Sequence, residues 1–89
     1  MYKKILVAYE LRKPGQNYAP VHSYLQSMPG WAKVHPAVYV VKTSLNVAAI
    51  RDALLKLIDA NDTLFAVEIG IDWASYNLPV AVANWLKAN

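Results

Sequence analysis

Apolar residues recur at two different spacings along this chain, and the switches between them mark its elements. From Lys3 to Glu10 the pattern is that of a strand. Ile5 to Tyr9 are apolar on both alternating faces, as a central strand covered on each side requires, and the run ends on a carboxylate, Glu10, where the strand emerges into solvent. Pro14-Gly15 then reads as a tight turn, proline presetting φ and glycine accepting a positive one. The turn delivers a helix with Asn17 as its N-cap and Pro20 in its first turn, where a missing N–H does little harm. Tyr18, Val21, Leu25 and Met28 fall at helical spacing on one face with Tyr24 beside them, and Pro29-Gly30 stops the helix.

Two short β segments follow, Trp31 to His35 and Val38 to Thr43, joined by Pro36-Ala37 as a hairpin. The first, interrupted by Lys33 and bounded by proline, suits an edge; the second is β-branched and aromatic on both faces and suits the interior. Ser44 and Asn46 are alternative caps for a second helix running to about Ala60. Its buried stripe is Val47, Ile50, Leu54, Leu57 and Ile58, and Asp52 and Lys56 form an exposed pair four apart. Asn61-Asp62 turns the chain into a fourth strand, Thr63 to Ile69, apolar on both parities except at Glu68 and ended by Gly70. The last helix takes Asn77 as its cap, Pro79 in its first turn, and Leu78, Val82, Trp85 and Leu86 as its apolar stripe.

The order β-α-β-β-α-β, with two right-handed crossovers around a hairpin, predicts an α+β ferredoxin-like sandwich carrying an additional C-terminal helix. In that topology the first and third strands are central, the other two are edges, and two helices cover one face. The opposite face is left with apolar residues on three strands, too large a patch to stand in water. The C-terminal helix or a second copy of the sheet has to cover it, and a symmetric homodimer is the expected solution.

Length and composition support this picture. At 89 residues the chain makes one domain, and 56% hydrophobic against 17% charged residues is rich for so small a surface-dominated protein. The net charge of +3 is spread along the chain, with no run longer than Lys3-Lys4 or Arg12-Lys13, which is compatible with nucleic acid without demanding it. The absence of cysteine excludes disulfides, thiolate zinc sites and a cysteine nucleophile. The apolar run after Lys3-Lys4 falls short of the roughly 7–15 residues of a signal-peptide core, and no stretch approaches the ~20 apolar residues of a membrane span. A cytoplasmic protein with no membrane partner is expected.

Candidate chemistry is sparse. Because the fourth strand runs antiparallel to the first, Glu10 and Asp62 share one rim, where carboxylates could hold a magnesium ion, or manganese, with several waters. A dimer axis near that rim adds a second Glu10. The plainer alternative is that Glu10 pairs with Arg12 or Lys13 and Asp62 caps a turn. His22 and His35 have no partner at metal-ligand spacing and read as satisfied or surface groups. No glycine-rich phosphate loop and no nucleophile motif is present. Tyr9 and Tyr39, on the central strands, could stack bases, but the aromatic octapeptide of RNA-recognition domains is missing and core packing is the better reading. Trp31, Trp73 and Trp85 read as packing anchors.

Taken together, Tyr9-Glu10, Leu11, Pro14-Gly15, Tyr18, Thr43-Ser44-Leu45, Ile50-Arg51-Asp52, the Asp59-Ala60-Asn61-Asp62 turn, Asp72-Trp73-Ala74 and the ending Ala83-Asn84-Trp85-Leu86-Lys87 resemble a small bacterial and phage family labelled SinR-like. That family is itself similar to the VapD ribonucleases and to the ferredoxin-like nuclease subunit of CRISPR adaptation. The resemblance implies a homodimer and either metal-assisted cleavage of nucleic acid or a structural role in holding it. The relatives carry an aspartate at the end of the first strand, and the matching position here is Glu10, one methylene longer. It would act as the catalytic and metal-binding group, with Asp62 as a second ligand, while Arg12, Lys13 and Lys33 are the candidates for gripping nucleic acid. The leading expectation is a non-catalytic interaction or nucleic-acid-holding dimer, the alternative is a metal-dependent endonuclease acting on RNA or DNA, and a small-ligand regulatory domain binding at the dimer seam is a third, because the fold does not fix one function.

Overall fold

A computed structural model describes residues 1–12 and 18–89. The elements in chain order are β1 (Lys3–Glu10), α1 (Ala19–Gln26), β2 (Gly30–His35), β3 (Val38–Thr43), α2 (Val47–Leu55), β4 (Thr63–Ile69) and α3 (Val80–Ala88). The Pro14-Gly15 turn, the Asn17 cap and Lys13 lie outside the described residues. The molecule is a mixed α+β domain with one four-stranded sheet in the order β2-β3-β1-β4, every neighbouring pair antiparallel. β1 and β3 are central and β2 and β4 are edges; the sequence of β2 marks an edge, whereas β4, apolar on both parities, takes its edge place from the topology.

The pleat sorts each strand into two faces. Ile5, Val7 and Tyr9 of β1 lie beside Tyr39, Val41 and Thr43 of β3 on the face covered by α1 and α2, and all six are buried. Val21 and Leu25 of α1 and Ile50 and Leu54 of α2 complete this core, with Tyr18, Tyr24, Met28, Val47 and Ile58 packed around it. Asn46 caps α2, its Oδ1 accepting the Ala49 N–H at 2.8 Å.

Three helix details differ from the sequence-based expectation. α2 ends at Leu55 rather than near Ala60, because the Asp62 carboxylate takes the Asp59 N–H at 2.7 Å and the chain bends into a turn. Leu57 consequently leaves the stripe and is exposed. Asp52 pairs with its neighbour Arg51 at 3.0 Å rather than with Lys56, which occupies the helix C-cap. Asn77 does not cap α3: it adopts a left-handed φ of 64°, which asparagine tolerates, and Pro79 stands at the N-cap.

On the second face α3 packs against β2, and Ala32 and Val40 are buried there. Gly30 permits the approach, since a Cβ at that position would stand 3.1 Å from both the Lys42 Cβ and the Trp85 ring. The covering stops short of β4. Phe65 is 62% exposed and Val67 38%.

Candidate functional site

The rim at the end of β1 is built by register. Glu10 stands opposite Thr63, so the loop that follows β1 passes beside the turn that precedes β4. Asp62 joins the two. Its Oδ1 accepts the Arg12 backbone N–H at 2.9 Å and its Oδ2 accepts the Asp59 N–H at 2.7 Å, so both carboxylate oxygens serve the backbone. Glu10 and Asp62 therefore do share a rim, as the topology requires, but Asp62 works as a staple between two loops. Glu10 Oε1 forms an ion pair with Arg12 at 3.0 Å, with both side chains more than half exposed. Such a pair contributes about 0–1 kcal/mol. Among the described residues no group of three or more His, Asp or Glu side chains comes together as a metal-binding set.

The proposed nucleic-acid residues are not gathered. Arg12 is bound into the Glu10 rim, whereas Lys33 lies on the β2 edge, level with Tyr39 and two strands away from β1. Lys13 is outside the described residues. Tyr9 and Tyr39 are buried beneath the helices and offer no stacking platform.

His22 occupies a place that its sequence context does not disclose. Its ring lies 5.4 Å from Tyr39, 5.7 Å from Tyr18 and 6.0 Å from Tyr9, and its buried Nε2 has no hydrogen-bond partner among the described residues. It is neither satisfied nor a plain surface group. The i, i+4 spacing of Tyr18 and His22 is the one signal in the chain, and Tyr9 and Tyr39 join only through the fold. Burial, and secondarily the Lys33 ammonium, lower the imidazole pKa from its ordinary 6.5. The folded protein thus takes up a proton less readily than the unfolded chain, so the stability held above pH 6.5 is lost as the pH falls below it. Thermal melts should show the midpoint dropping between about pH 7 and pH 5. His22→Phe should flatten that slope; an equal slope in both proteins would assign the loss to other groups.

Cations are instead concentrated at the opposite end of β1. Lys4 and Lys42 are directly cross-strand on one face, and Lys3, Lys4 and Lys42 line a cleft of about 540 Å³, with Glu68 as the only carboxylate side chain among its described lining residues and Asn89 beside it. The Lys42 ammonium donates to Asn89 Oδ1 at 3.1 Å and sits 5.5 Å from the centre of the Tyr2 ring.

No protein-family model matches the chain, and searches of the curated proteins and of the solved structures each returned no match. The chemistry of the chain therefore rests on its own arrangement of residues. No helix among the described residues is long and apolar enough to cross a membrane.

Proposed function

We propose that this protein is a homodimeric, non-catalytic module that holds nucleic acid, built on a ferredoxin-like sandwich of the SinR-like kind. The strand order β2-β3-β1-β4, with crossovers through α1 and α2, supports the fold assignment. The observation that carries the functional reading is the state of Asp62. With both oxygens engaged by backbone N–H groups, Glu10 is left as a single exposed carboxylate beside Arg12. Magnesium is held through one or two carboxylates in near-ideal octahedral geometry, and turning Asp62 toward an ion would undo the loop staple.

The second copy belongs on β4. Edge β2 is guarded by Lys33, by an irregularity between Lys33 and His35, and by the following Pro36. Edge β4 carries no proline, lysine or irregularity in its pairing with β1, only Glu68, and it is continuous with the uncovered Phe65 and Val67. Antiparallel pairing of β4 with its own copy about Ala66 sets Phe65 of one protomer opposite Val67 of the other and joins two sheets into one. The two Glu10 side chains then lie at opposite ends of the paired strands, about 20 Å apart along them, too far to share an ion. The dimer and the lack of catalysis are thus one arrangement.

Two measurements test this. Light scattering should give twice the 9.9 kDa chain mass, and Phe65→Asp should return a folded monomer; a monomeric wild type would remove the dimer. Labelled single-stranded RNA and duplex DNA, incubated with magnesium, manganese or EDTA, should be bound and recovered intact in every case. Metal-dependent cutting that disappears in Glu10→Ala would establish the endonuclease instead.

A further inference from the structure

The cleft at the start of β1 sets two lysines side by side, and although the Lys42 ammonium is held by Asn89 Oδ1 and the Tyr2 ring, neither contact supplies a negative charge. Lys4 and Lys42 occupy directly opposed positions in the β1–β3 ladder, and like charges so placed destabilise a sheet. The ion pairs formed among the described residues are Glu10–Arg12 and Arg51–Asp52, so neither lysine is neutralised by one. A second depression, of about 740 Å³, shares Lys4, Ile71 and Asn89 with the first and adds Lys87 and Trp73. The two adjoin at these three shared residues, as a groove at the end of the sheet beside the last turn of α3. Its cations, Lys3, Lys4, Lys42 and Lys87, line it together with two aromatic rings, Tyr2 at 55% exposure with the Lys42 ammonium beside it, and the half-buried Trp73.

We infer that this groove takes a single-stranded nucleic acid, with the lysines on its phosphates and Tyr2 as a stacking surface for a base. The inference rests on the nucleic-acid-holding reading above and moves its contact surface away from Arg12 and Lys33. A charged groove tracking the backbone, with aromatics for the bases, is the arrangement by which single strands are held without sequence readout. The strand's phosphates relieve the Lys4–Lys42 repulsion, which gives a reason for two lysines to face each other. Duplex contacts would use the lysines without the ring, so Tyr2 separates the two substrates.

The test is fluorescence anisotropy with a labelled single-stranded RNA at several salt concentrations, using the whole 89-residue chain. The double variant Lys4→Gln, Lys42→Gln should bind at least about tenfold more weakly, and its logarithmic salt dependence should flatten by about 1.4, roughly 0.7 for each phosphate no longer neutralised. Tyr2→Ala should weaken single-stranded RNA more than duplex DNA, whereas Arg12→Gln with Lys33→Gln should remain within about twofold of the wild type. Thermal melts of the lysine variant should match or exceed those of the wild type, because a like-charge pair has been removed. Photocrosslinking of the unaltered protein should label Tyr2 or Trp73, a readout independent of how any variant folds. Binding that survives the lysine double substitution, or crosslinks confined to Trp31, overturns this assignment and leaves the broader function standing. A wild type that binds no nucleic acid overturns both.

Discussion

Tyr39→Ala should be the most damaging single substitution, lowering stability by about 3–5 kcal/mol, the range for removing a large aromatic from a packed core. Tyr39 is fully buried at the centre of the sheet, between Val7 of β1 and Lys33 of β2 in the ladder. Its ring meets His22 at 5.4 Å and Trp31 at 5.9 Å, and its hydroxyl accepts from Gln26 Nε2 at 3.0 Å, so one side chain ties α1 to an edge and a central strand. For a domain of this size each kcal/mol moves the midpoint by about 4–8 °C, and the variant should melt at least about 12 °C lower or fail to fold. Tyr39→Phe removes only the hydroxyl interaction and should cost about 1 kcal/mol. Equal losses in the two variants would mean that the hydroxyl, rather than ring packing, dominates.

Asp62→Ala should lower the thermal midpoint by roughly 5–10 °C in the absence of any metal. Hydrogen bonds to a charged acceptor contribute about 1.5–3 kcal/mol when sheltered; here solvent screening reduces the combined loss to about 1–2 kcal/mol. The substitution deletes the acceptor for both the Arg12 and the Asp59 N–H groups, freeing the loop after β1 from the turn before β4. Asp62→Asn keeps one carbonyl acceptor and should fall between. The contrary result is informative: a ligand carboxylate held near Glu10 repels it without metal, so its removal would leave the midpoint unchanged or raise it. Differential scanning fluorimetry with and without magnesium separates a staple from a ligand.

These expectations concern residues whose roles are unequally legible in the chain. The β1 run from Ile5 to Tyr9 and the β3 run from Val38 to Thr43 announce buried central strands because both parities are apolar. Lys33 and Pro36 announce an edge because a charge and a missing N–H are tolerable only there. The Asn46 cap is foreseeable only as one of two alternatives, since Ser44 and Asn46 both accept hydrogen bonds and only the path of the chain decides which N–H groups come within reach. The end of α2 is misleading in the sequence because Leu57 continues a helical stripe locally. The competing bond from Asp62 depends on where β4 begins.

The candidate site is legible in its position and misleading in its chemistry. Antiparallel pairing of β1 and β4 puts Glu10 near Asp62 whatever the side chains do. Whether those carboxylates face an ion or a backbone amide is set by the geometry of two loops, which residue order alone does not encode. The Lys4–Lys42 opposition shows the same division, because 38 positions separate the lysines and only the β1–β3 register makes them neighbours.

Residue order thus specifies the succession of elements, the two central strands and the β2 edge, the core stripes and the surplus of apolar surface. Those follow from periodicity and backbone chemistry, which act over a few residues. Packing in three dimensions makes Asp62 a staple, encloses His22 among tyrosines, leaves β4 bare of α3, and gathers Lys3, Lys4 and Lys42 around one cleft. Each of these depends on contacts between distant segments, and such contacts are settled when the sheet acquires its register and the helices pack upon it.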